Sequence, residues 1–148
     1  MDEVSVINEF KGENRFLSNF YACDFEFEGL TYHSAEAAFQ AQKCSTEERK
    51  VIYAAVTNPV VAKRMGKKEP NLPANWNEIS CGIMKRVLTA KFSVPELREK
   101  LKATGDATLI EGNKHHDNLW GKCMCNGCSN KTAQNRLGTI LMEIRSEL

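Results

Sequence analysis

The amino-acid sequence predicts an α+β fold: a single, mostly helical domain over residues 1–148 with a small, short-stranded sheet. The clearest observation is that apolar residues in segment 76–92 recur every three or four positions, as on one face of a helix. An alanine-rich segment follows Ser34, and apolar and polar residues alternate over 21–33. Because the strands are few and short, we expect helices to pack around a small sheet.

The predicted strands are short and widely separated in the sequence. Residues 4–10 predict the first strand. The segment "YACDFEFEGLTYH", 21–33, predicts a hairpin with its turn at Glu28–Gly29 and one face toward solvent. "ATLIE", 107–111, predicts a further strand, and 112–131 is then expected to be a loop.

Three of the predicted helices have start signals in the sequence. The hydroxyl of Ser34 is suited to cap the first helix, and that of Thr46 a second helix through Val56. Asn58–Pro59 fits an N-cap followed by proline at the first helical position, and this helix should end near Met65–Gly66. The remaining helices are expected at 76–92, at 95–103 and from about 132 onward.

Charge and composition exclude some classes of function. A net charge of +1 gives no global basic field, so extended non-specific binding of duplex nucleic acid is not expected as the main activity. No apolar run approaches the roughly 20 residues of a membrane helix. The acidic start "MDEVSVINEF" does not resemble a signal peptide, which predicts a cytoplasmic protein with six reduced cysteines.

The first helix carries three polar side chains that share one face. Glu36, Gln40 and Lys43 are spaced four and three residues apart, with small alanines beside them, and could border a polar pocket. The alternative is a solvated helix face, which is the commoner meaning of such a pattern. The role of Asn19, in "NRFLSNF", also has two interpretations: its side chain either hydrogen-bonds the local backbone or contacts a ligand.

Four blocks of this sequence resemble the NADAR, or YbiA-like, superfamily. They follow the order found in that family, span most of the chain, and include a specific Asp-x-x-Trp-Gly pattern. One departure is Ala37, where the family usually has histidine. It argues against a role for the side chain at position 37 but not against a role for Glu36. The blocks are "FLSNFYACDFEFEGLTYHSAEAAFQAQK" (16–43), "NWNEISCGIMKRVLTAKF" (75–92), "TLIEGNKHHDNLWG" (108–121) and "NRLGTILMEIR" (135–145).

The resemblance implies an N-glycosidase, a hydrolase that cleaves the bond between ribose and a base-like ring without a cofactor. Two substrate classes are associated with the family. One is ADP-ribose attached to guanine in DNA or RNA, and the other is the ribosylamino-pyrimidine phosphates of riboflavin biosynthesis. The expected partner is therefore a phosphorylated ribosyl or ADP-ribosyl substrate, with no membrane. Binding of ADP-ribose without catalysis is an alternative.

The resemblance also implies which residues act. Cleavage of an N-glycosidic bond develops positive charge on the sugar, which a carboxylate stabilises, and a second group protonates the leaving nitrogen. By motif position, Glu36, Lys43 and Asp117 are the catalytic candidates, with Lys43 suited to bond the anomeric carbon as a Schiff base. Direct attack by water is the other route. The substrate-binding candidates are Asn19, Gln40, Trp76, Trp120 and Gly121.

A cysteine cluster follows the Asp-x-x-Trp-Gly block and lies outside the family pattern. Cys123, Cys125 and Cys128 form C-x-C-x-x-C, with His115 and His116 upstream. Zinc sites usually show two separated ligand pairs, whereas here three thiols crowd into six residues. The favoured interpretation is free thiols, with no metal ligands assigned. A zinc-binding interaction module is the alternative, and the oligomeric state is left open.

Overall fold

The structure, a computed structural model, describes residues 5–148 and is mostly helical. The α+β class with dominant helices is confirmed, but the strands form three separate two-stranded sheets in this range rather than one small sheet. The helices are α1 Ala35–Ala41, α2 Glu47–Ala54, α3 Pro59–Lys67, α4 Trp76–Lys91, α5 Pro95–Ala103 and α6 Arg136–Ser146. The strands are β1 Val6–Ile7, β2 Phe25–Phe27, β3 Leu30–Tyr32, β4 Thr108–Leu109, β5 Gly112–Asn113 and β6 Lys122–Cys123, and 3-10 turns span Gly12–Leu17 and Asn126–Cys128.

The described residues divide into two compact units. Residues 19–97, here called the hairpin unit, contain β2, β3 and helices α1 to α4. Residues 5–18 together with 98–148, here called the loop unit, contain the other four strands and α6. The assignment of one domain to residues 1–148 stays a prediction.

The hairpin is confirmed in the register that its sequence predicts. Strands β2 and β3 are antiparallel, and Phe27 lies opposite Leu30 across a two-residue turn. The turn residues Glu28 and Gly29 have φ of +49° and +86°, the left-handed combination that suits the twist of paired strands. Phe25 and Phe27 are buried whereas the residue between them is exposed, so one face packs inward.

The three predicted helix starts in this unit are confirmed by hydrogen bonds from backbone N–H groups. Ser34 Oγ accepts one from Ala37 at 3.1 Å, and Thr46 Oγ1 accepts one from Arg49 at 3.3 Å. Asn58 Oδ1 accepts one from the second residue of α3 at 2.9 Å. Each cap satisfies a donor that has no partner within its own helix.

Helix α1 lies at the centre of the hairpin unit. It contacts α2, α3, α4 and β3, and all seven of its residues are buried. Glu36 and Gln40 are each only 6% exposed. The interpretation of their helix face as solvated is therefore wrong, because neighbouring helices cover it.

A charged cluster ties α2 to the residues that follow α3. Arg49 donates from Nε and Nη2 to the two carboxylate oxygens of Glu69, at 3.1 and 2.7 Å. The Tyr53 hydroxyl donates to the same carboxylate at 2.8 Å, and Glu69 is buried. The bonds from Arg49 hold the pKa of Glu69 below its ordinary value of 4.5.

A Glu69→Gln variant is expected to lose about 1.5–3 kcal/mol of unfolding free energy, because Arg49 and Tyr53 lose a charged acceptor. Since the folded pKa of Glu69 is lowered, its contribution is fully present above pH 4.5 and is lost as the pH falls through the folded value. Urea unfolding of the wild type and the variant, at neutral pH and in steps below pH 4.5, measures both effects. Glu78→Gln, on an exposed position of α4, is the control. If the unfolding free energy depends on pH identically in the wild type and in Glu69→Gln, Glu69 does not have a lowered pKa in the folded state.

In the loop unit, α6 packs against β4, which pairs in parallel with β1. Gly138 lies directly against the carbonyl oxygen of Leu109, where a Cβ would not fit. Asn135 adopts a left-handed φ of +47°, donates to that carbonyl at 2.8 Å, and accepts from the N–H of Glu111 at 3.0 Å. The side chain of Asn135 therefore fixes both the start of α6 and the end of the strand.

Helix α6 begins at Arg136, four residues later than predicted. Residues 132–135 do not enter the helix, and the first two N–H groups of α6, at Arg136 and Leu137, donate to the carbonyls of Leu119 and Trp120 at 3.1 and 2.9 Å. These donors have no partner inside a helix, so the preceding loop supplies one. The sequence has no local signal for such a cap, because its acceptors lie some seventeen residues away.

The other predicted boundaries need smaller corrections. The strand predicted over 4–10 is found only at Val6–Ile7, and Val4 lies outside the described residues. The strand predicted over 107–111 is limited to Thr108–Leu109. The segment 112–131, predicted as a loop, contains the parallel pair of β5 and β6 and one 3-10 turn.

Helix α4, with 16 residues, is the longest helix in the described range. No helix within residues 5–148 combines the length and the apolar composition needed to cross a bilayer.

Candidate active site

Glu36 is buried in the first turn of α1 and forms one hydrogen bond through its backbone and one through its carboxylate. Its backbone N–H donates to the carbonyl oxygen of Asn19 at 3.0 Å. Gln40, one turn along the helix, donates from Nε2 to Glu36 Oε1 at 2.9 Å. The spacing of four residues produces this contact. The orientation of the carboxylate is therefore set within α1.

Lys43 lies just beyond the end of α1. Its Nζ donates to the carbonyl oxygen of Gly66 at 3.4 Å and lies 5.7 Å from the centre of the Trp76 ring. The Trp76 ring packs on that of Phe39, with 5.3 Å between the ring centres. The ammonium is thus attracted to an aromatic face that also borders the core.

The protonation of Lys43 responds to its surroundings. Partial burial lowers the pKa of its amine below 10.5, the charge of Glu36 opposes that change, and the charge of Lys67 adds to it. A lysine with a lowered pKa is neutral more often, and the neutral amine is the nucleophilic form. The pair of Glu36 and Lys43 therefore combines a buried carboxylate with an amine whose pKa is lowered.

Two buried amide oxygens border the same region. Asn19 Oδ1 and Gln40 Oε1 have no hydrogen-bond partner among the described residues. Asn19 Nδ2 contacts the Met84 sulfur at 3.5 Å, and Gln40 packs so tightly on Gly66 that a Cβ there would collide with it. Buried acceptors normally have a donor. Asn19 Oδ1 and Gln40 Oε1 are exceptions among the described residues, and the predicted contact of both side chains with substrate stays a prediction.

Sequence reasoning missed Gly66 and Met84 as parts of this region. Gly66 supplies both a carbonyl for Lys43 and the space that Gln40 occupies. A glycine inside an otherwise helical segment was the available signal, because it lowers helix stability unless a neighbour needs the room. Met84 has no such signal in the sequence.

In the loop unit, Asp117 shapes a tight turn. Its Oδ1 accepts hydrogen bonds from the N–H groups of Leu119 and Trp120, at 3.0 and 2.9 Å. Its own backbone N–H donates to Asn113 Oδ1 at 3.1 Å, and its carbonyl accepts from Asn113 Nδ2 at 2.8 Å. The first part of the Asp-x-x-Trp-Gly motif is thus a backbone turn closed by the aspartate.

Trp120 and Gly121 complete that motif. The guanidinium carbon of Arg136 lies 5.9 Å from the Trp120 ring centre. Gly121 is buried against Glu111, and a Cβ at Gly121 would overlap the Glu111 backbone carbonyl. Close packing therefore accounts for glycine at this position, while its predicted contact with substrate stays a prediction.

The structure brings five of the predicted site residues together in the hairpin unit, around α1. Three others share one turn in the loop unit. Their catalytic and binding roles stay predictions. The first group is Asn19, Glu36, Gln40, Lys43 and Trp76, and the second is Asp117, Trp120 and Gly121.

Comparison with known proteins decides the family. The family model of the NADAR domain matches residues 7–148. The chain belongs to the NADAR family. The resemblance of the four sequence blocks is thereby confirmed over nearly the whole chain.

NADAR proteins similar to this chain are named N-glycosidases. N-glycosidase YbiA of Escherichia coli (strain K12) is 36% identical, over 97% of this chain and 89% of the relative. N-glycosidase Npun_R5314 of Nostoc punctiforme is 31% identical, over 89% of this chain and 84% of the relative. The expectation of an enzyme that hydrolyses N-glycosyl compounds is confirmed at this level.

The fold of this chain also agrees with that of a solved relative. The NMR structure of the E. coli protein YbiA matches with a TM-score of 0.84 and 33% identity, covering 99% of this chain and 86% of that one. The mostly helical YbiA-like fold predicted from the sequence is therefore confirmed.

Proposed function

We propose that this NADAR protein hydrolyses the bond between ribose and a base-like ring, and that its substrate is either ADP-ribosylated guanine in nucleic acid or a ribosylamino-pyrimidine phosphate. The observation that carries the proposal is the electrostatic coupling of the buried Glu36 carboxylate to Lys43, whose pKa is lowered by burial. An N-glycosidase needs such groups to stabilise a positive sugar and to attack it. The names of the similar relatives support the same reaction class.

The first route proceeds through Lys43. The neutral amine attacks the anomeric carbon while the bond from that carbon to the base breaks, and the base leaves with the electron pair and takes up a proton. The bond from the anomeric carbon to the ring oxygen then breaks, the ring oxygen takes up a proton from solvent, and a protonated Schiff base forms on Lys43. Water hydrolyses this adduct, which releases the ribose product and restores the amine. Glu36 stabilises the positive charge that develops at the sugar.

The second route needs no covalent adduct. Glu36 accepts a proton from water as the water attacks the anomeric carbon, and the base again leaves with the bonding electrons and a proton. In this route Lys43 binds a phosphate of the substrate. Both routes use the same carboxylate, which stabilises positive charge in the first and acts as a base in the second, and the lysine is a nucleophile only in the first.

Basic residues near Lys43 support a phosphorylated substrate. Arg64 and Lys67 lie in the last turn of α3, and the charge of Lys67 reaches the Lys43 amine. Arg64, Lys67 and Lys68 are exposed, and all belong to the basic run 63–69. Phosphate contacts of this kind add affinity without reading a base sequence.

Direct assay of both substrates tests the proposal. The full chain is incubated separately with DNA that carries ADP-ribosylated guanine and with a ribosylamino-pyrimidine phosphate, and release of the base or pyrimidine is followed by chromatography. Cleavage of one substrate, lost in Glu36→Gln, assigns the substrate class. Cleavage of neither would overturn the proposal.

Two variants of Asp117 separate its charge from its turn-forming role. Asparagine keeps an oxygen for the N–H groups of Leu119 and Trp120, whereas alanine does not. We expect Asp117→Asn to keep wild-type stability but to lose about 10²-fold in kcat, as for a general acid. Asp117→Ala should lose activity and, in addition, about 0.5–2 kcal/mol of unfolding free energy. Wild-type turnover by Asp117→Asn would leave the residue with a purely structural role.

A further inference from the structure

Four side chains in the loop unit converge on one point. Nδ1 of His116 lies 3.4 Å from Cys128 Sγ, 3.5 Å from Cys125 Sγ and 3.7 Å from Cys123 Sγ. One ligand atom from each of the four residues lies within 4.8 Å of all the others. Three thiols and one imidazole therefore surround a volume the size of a single ion.

These distances match those of a tetrahedral zinc ion. With Zn–S bonds of about 2.3 Å and a Zn–N bond of about 2.0–2.1 Å, tetrahedral angles place nitrogen and sulfur about 3.6 Å apart and two sulfurs about 3.8 Å apart. The three nitrogen–sulfur distances around His116 fall on both sides of the first value. Three cysteines and a histidine are also a ligand set of structural zinc sites.

We propose that this chain binds one structural zinc ion through His116, Cys123, Cys125 and Cys128. All four positions of the tetrahedron are then filled by protein, which leaves no open position for water or substrate and distinguishes a structural from a catalytic site. Cys123 and Cys128 are buried, whereas His116 is exposed and Cys125 is partly exposed, so the ion has a path of entry from solvent.

The backbone around these ligands is held by hydrogen bonds that do not use the ligand side chains. Asn113 Oδ1 accepts from the N–H groups of His115 and Asp117, one on each side of His116. Asn118 Oδ1 accepts from the N–H of Cys123 at 2.9 Å. Strands β5 and β6 place Asn113 opposite Cys123. The loop therefore brings the histidine to the cysteines by its own fold.

His116, and not its neighbour His115, has a left-handed backbone conformation. Its φ is +67°, a region that is uncommon for residues other than glycine but that histidine enters more often than most. The neighbouring His115 is not part of the cluster. Cys44 and Cys81 belong to the hairpin unit and are not part of the cluster either. The structure thus selects one histidine and three cysteines from a larger set.

The ion would fix the loop that carries the Asp-x-x-Trp-Gly motif. His116 immediately precedes Asp117, and the three cysteines follow Gly121 within seven residues. The carbonyls of Leu119 and Trp120 accept from the start of α6. The four ligands therefore flank the motif, and one bound ion would join this turn to the cysteine segment. This structural role does not depend on the proposed reaction.

Metal analysis of matched variants tests the proposal. The full chain is expressed with added zinc, purified without chelator, and its metal content is measured by mass spectrometry against protein concentration. We expect about one zinc per chain in the wild type, in His115→Ala and in Cys81→Ser. His116→Ala and Cys128→Ser should lose most of it, whereas His116→Cys should retain it, because a fourth thiolate completes the tetrahedron.

A spectroscopic titration covers the case of a variant that fails to fold. Cobalt added to chelator-stripped wild-type protein should give the visible bands of a tetrahedral ion and a thiolate charge-transfer band, and zinc should displace both. Chelator should lower the Tm of the wild type, as expected for loss of a ligand of the folded state. A wild-type protein that binds neither metal, or zinc retained at full stoichiometry by folded Cys128→Ser, would overturn the proposal. Since no substrate is used, these outcomes are independent of the proposed activity.

Discussion

A Glu36→Gln variant is expected to lose about 10²–10⁴-fold in kcat, the range that a positioned acid or base contributes. Glutamine has the same shape and keeps an oxygen that can accept from Gln40 Nε2, so the packing of α1 should survive. What disappears is the negative charge beside the developing positive charge on the sugar. Single-turnover assays of the variant and the wild type, on whichever substrate class is cleaved, measure the loss.

The control for this prediction is Glu48→Gln. Glu48 also lies in the first turn of a helix, α2, but is exposed. We expect this variant to retain wild-type turnover, and circular dichroism of both variants should match that of the wild type. If Glu36→Gln turns over at the wild-type rate while folded, its carboxylate takes no part in the reaction.

Elements of the fold defined by neighbouring residues could be predicted from the sequence. The caps at Ser34, Thr46 and Asn58 and the turn at Glu28–Gly29 each depend on side chains within three residues, and each is found. The start of α6 could not be predicted, because its donors pair with carbonyls of residues 119–120. Local chemistry can indicate a turn or a cap, but not which distant segment will satisfy a backbone group.

The candidate site shows the same division. Spacing predicted that Glu36 and Gln40 share a face, and their hydrogen bond follows from it. Whether that face is solvent-exposed or buried depends on α2, α3 and α4, which pack around it. The choice of His116 over His115 in the cysteine cluster likewise depends on backbone geometry that the order of residues does not specify.

Reductive trapping is expected to show a covalent adduct on Lys43. If the reaction follows the Schiff-base route, borohydride added during turnover reduces the imine to a stable secondary amine, and peptide mass spectrometry locates the added sugar at that residue. Lys43→Arg keeps a positive charge that can bind phosphate but has no amine to form an imine, so it should yield no adduct and lose about 10³-fold or more in kcat. Lys102→Arg, at an exposed position of α5, should behave as the wild type.

The pH dependence of kcat/KM supplies an independent measurement of the pKa of the Lys43 amine. Because burial lowers the pKa of Lys43 and its neutral form attacks, kcat/KM should rise with pH along a limb centred below 10.5. Lys67 lowers this pKa further, so Lys67→Gln should move the limb to higher pH, whereas Lys68→Gln should leave it in place. If no adduct forms and Lys43→Arg remains active while Glu36→Gln is inactive, water attacks directly and the lysine serves only to bind the substrate.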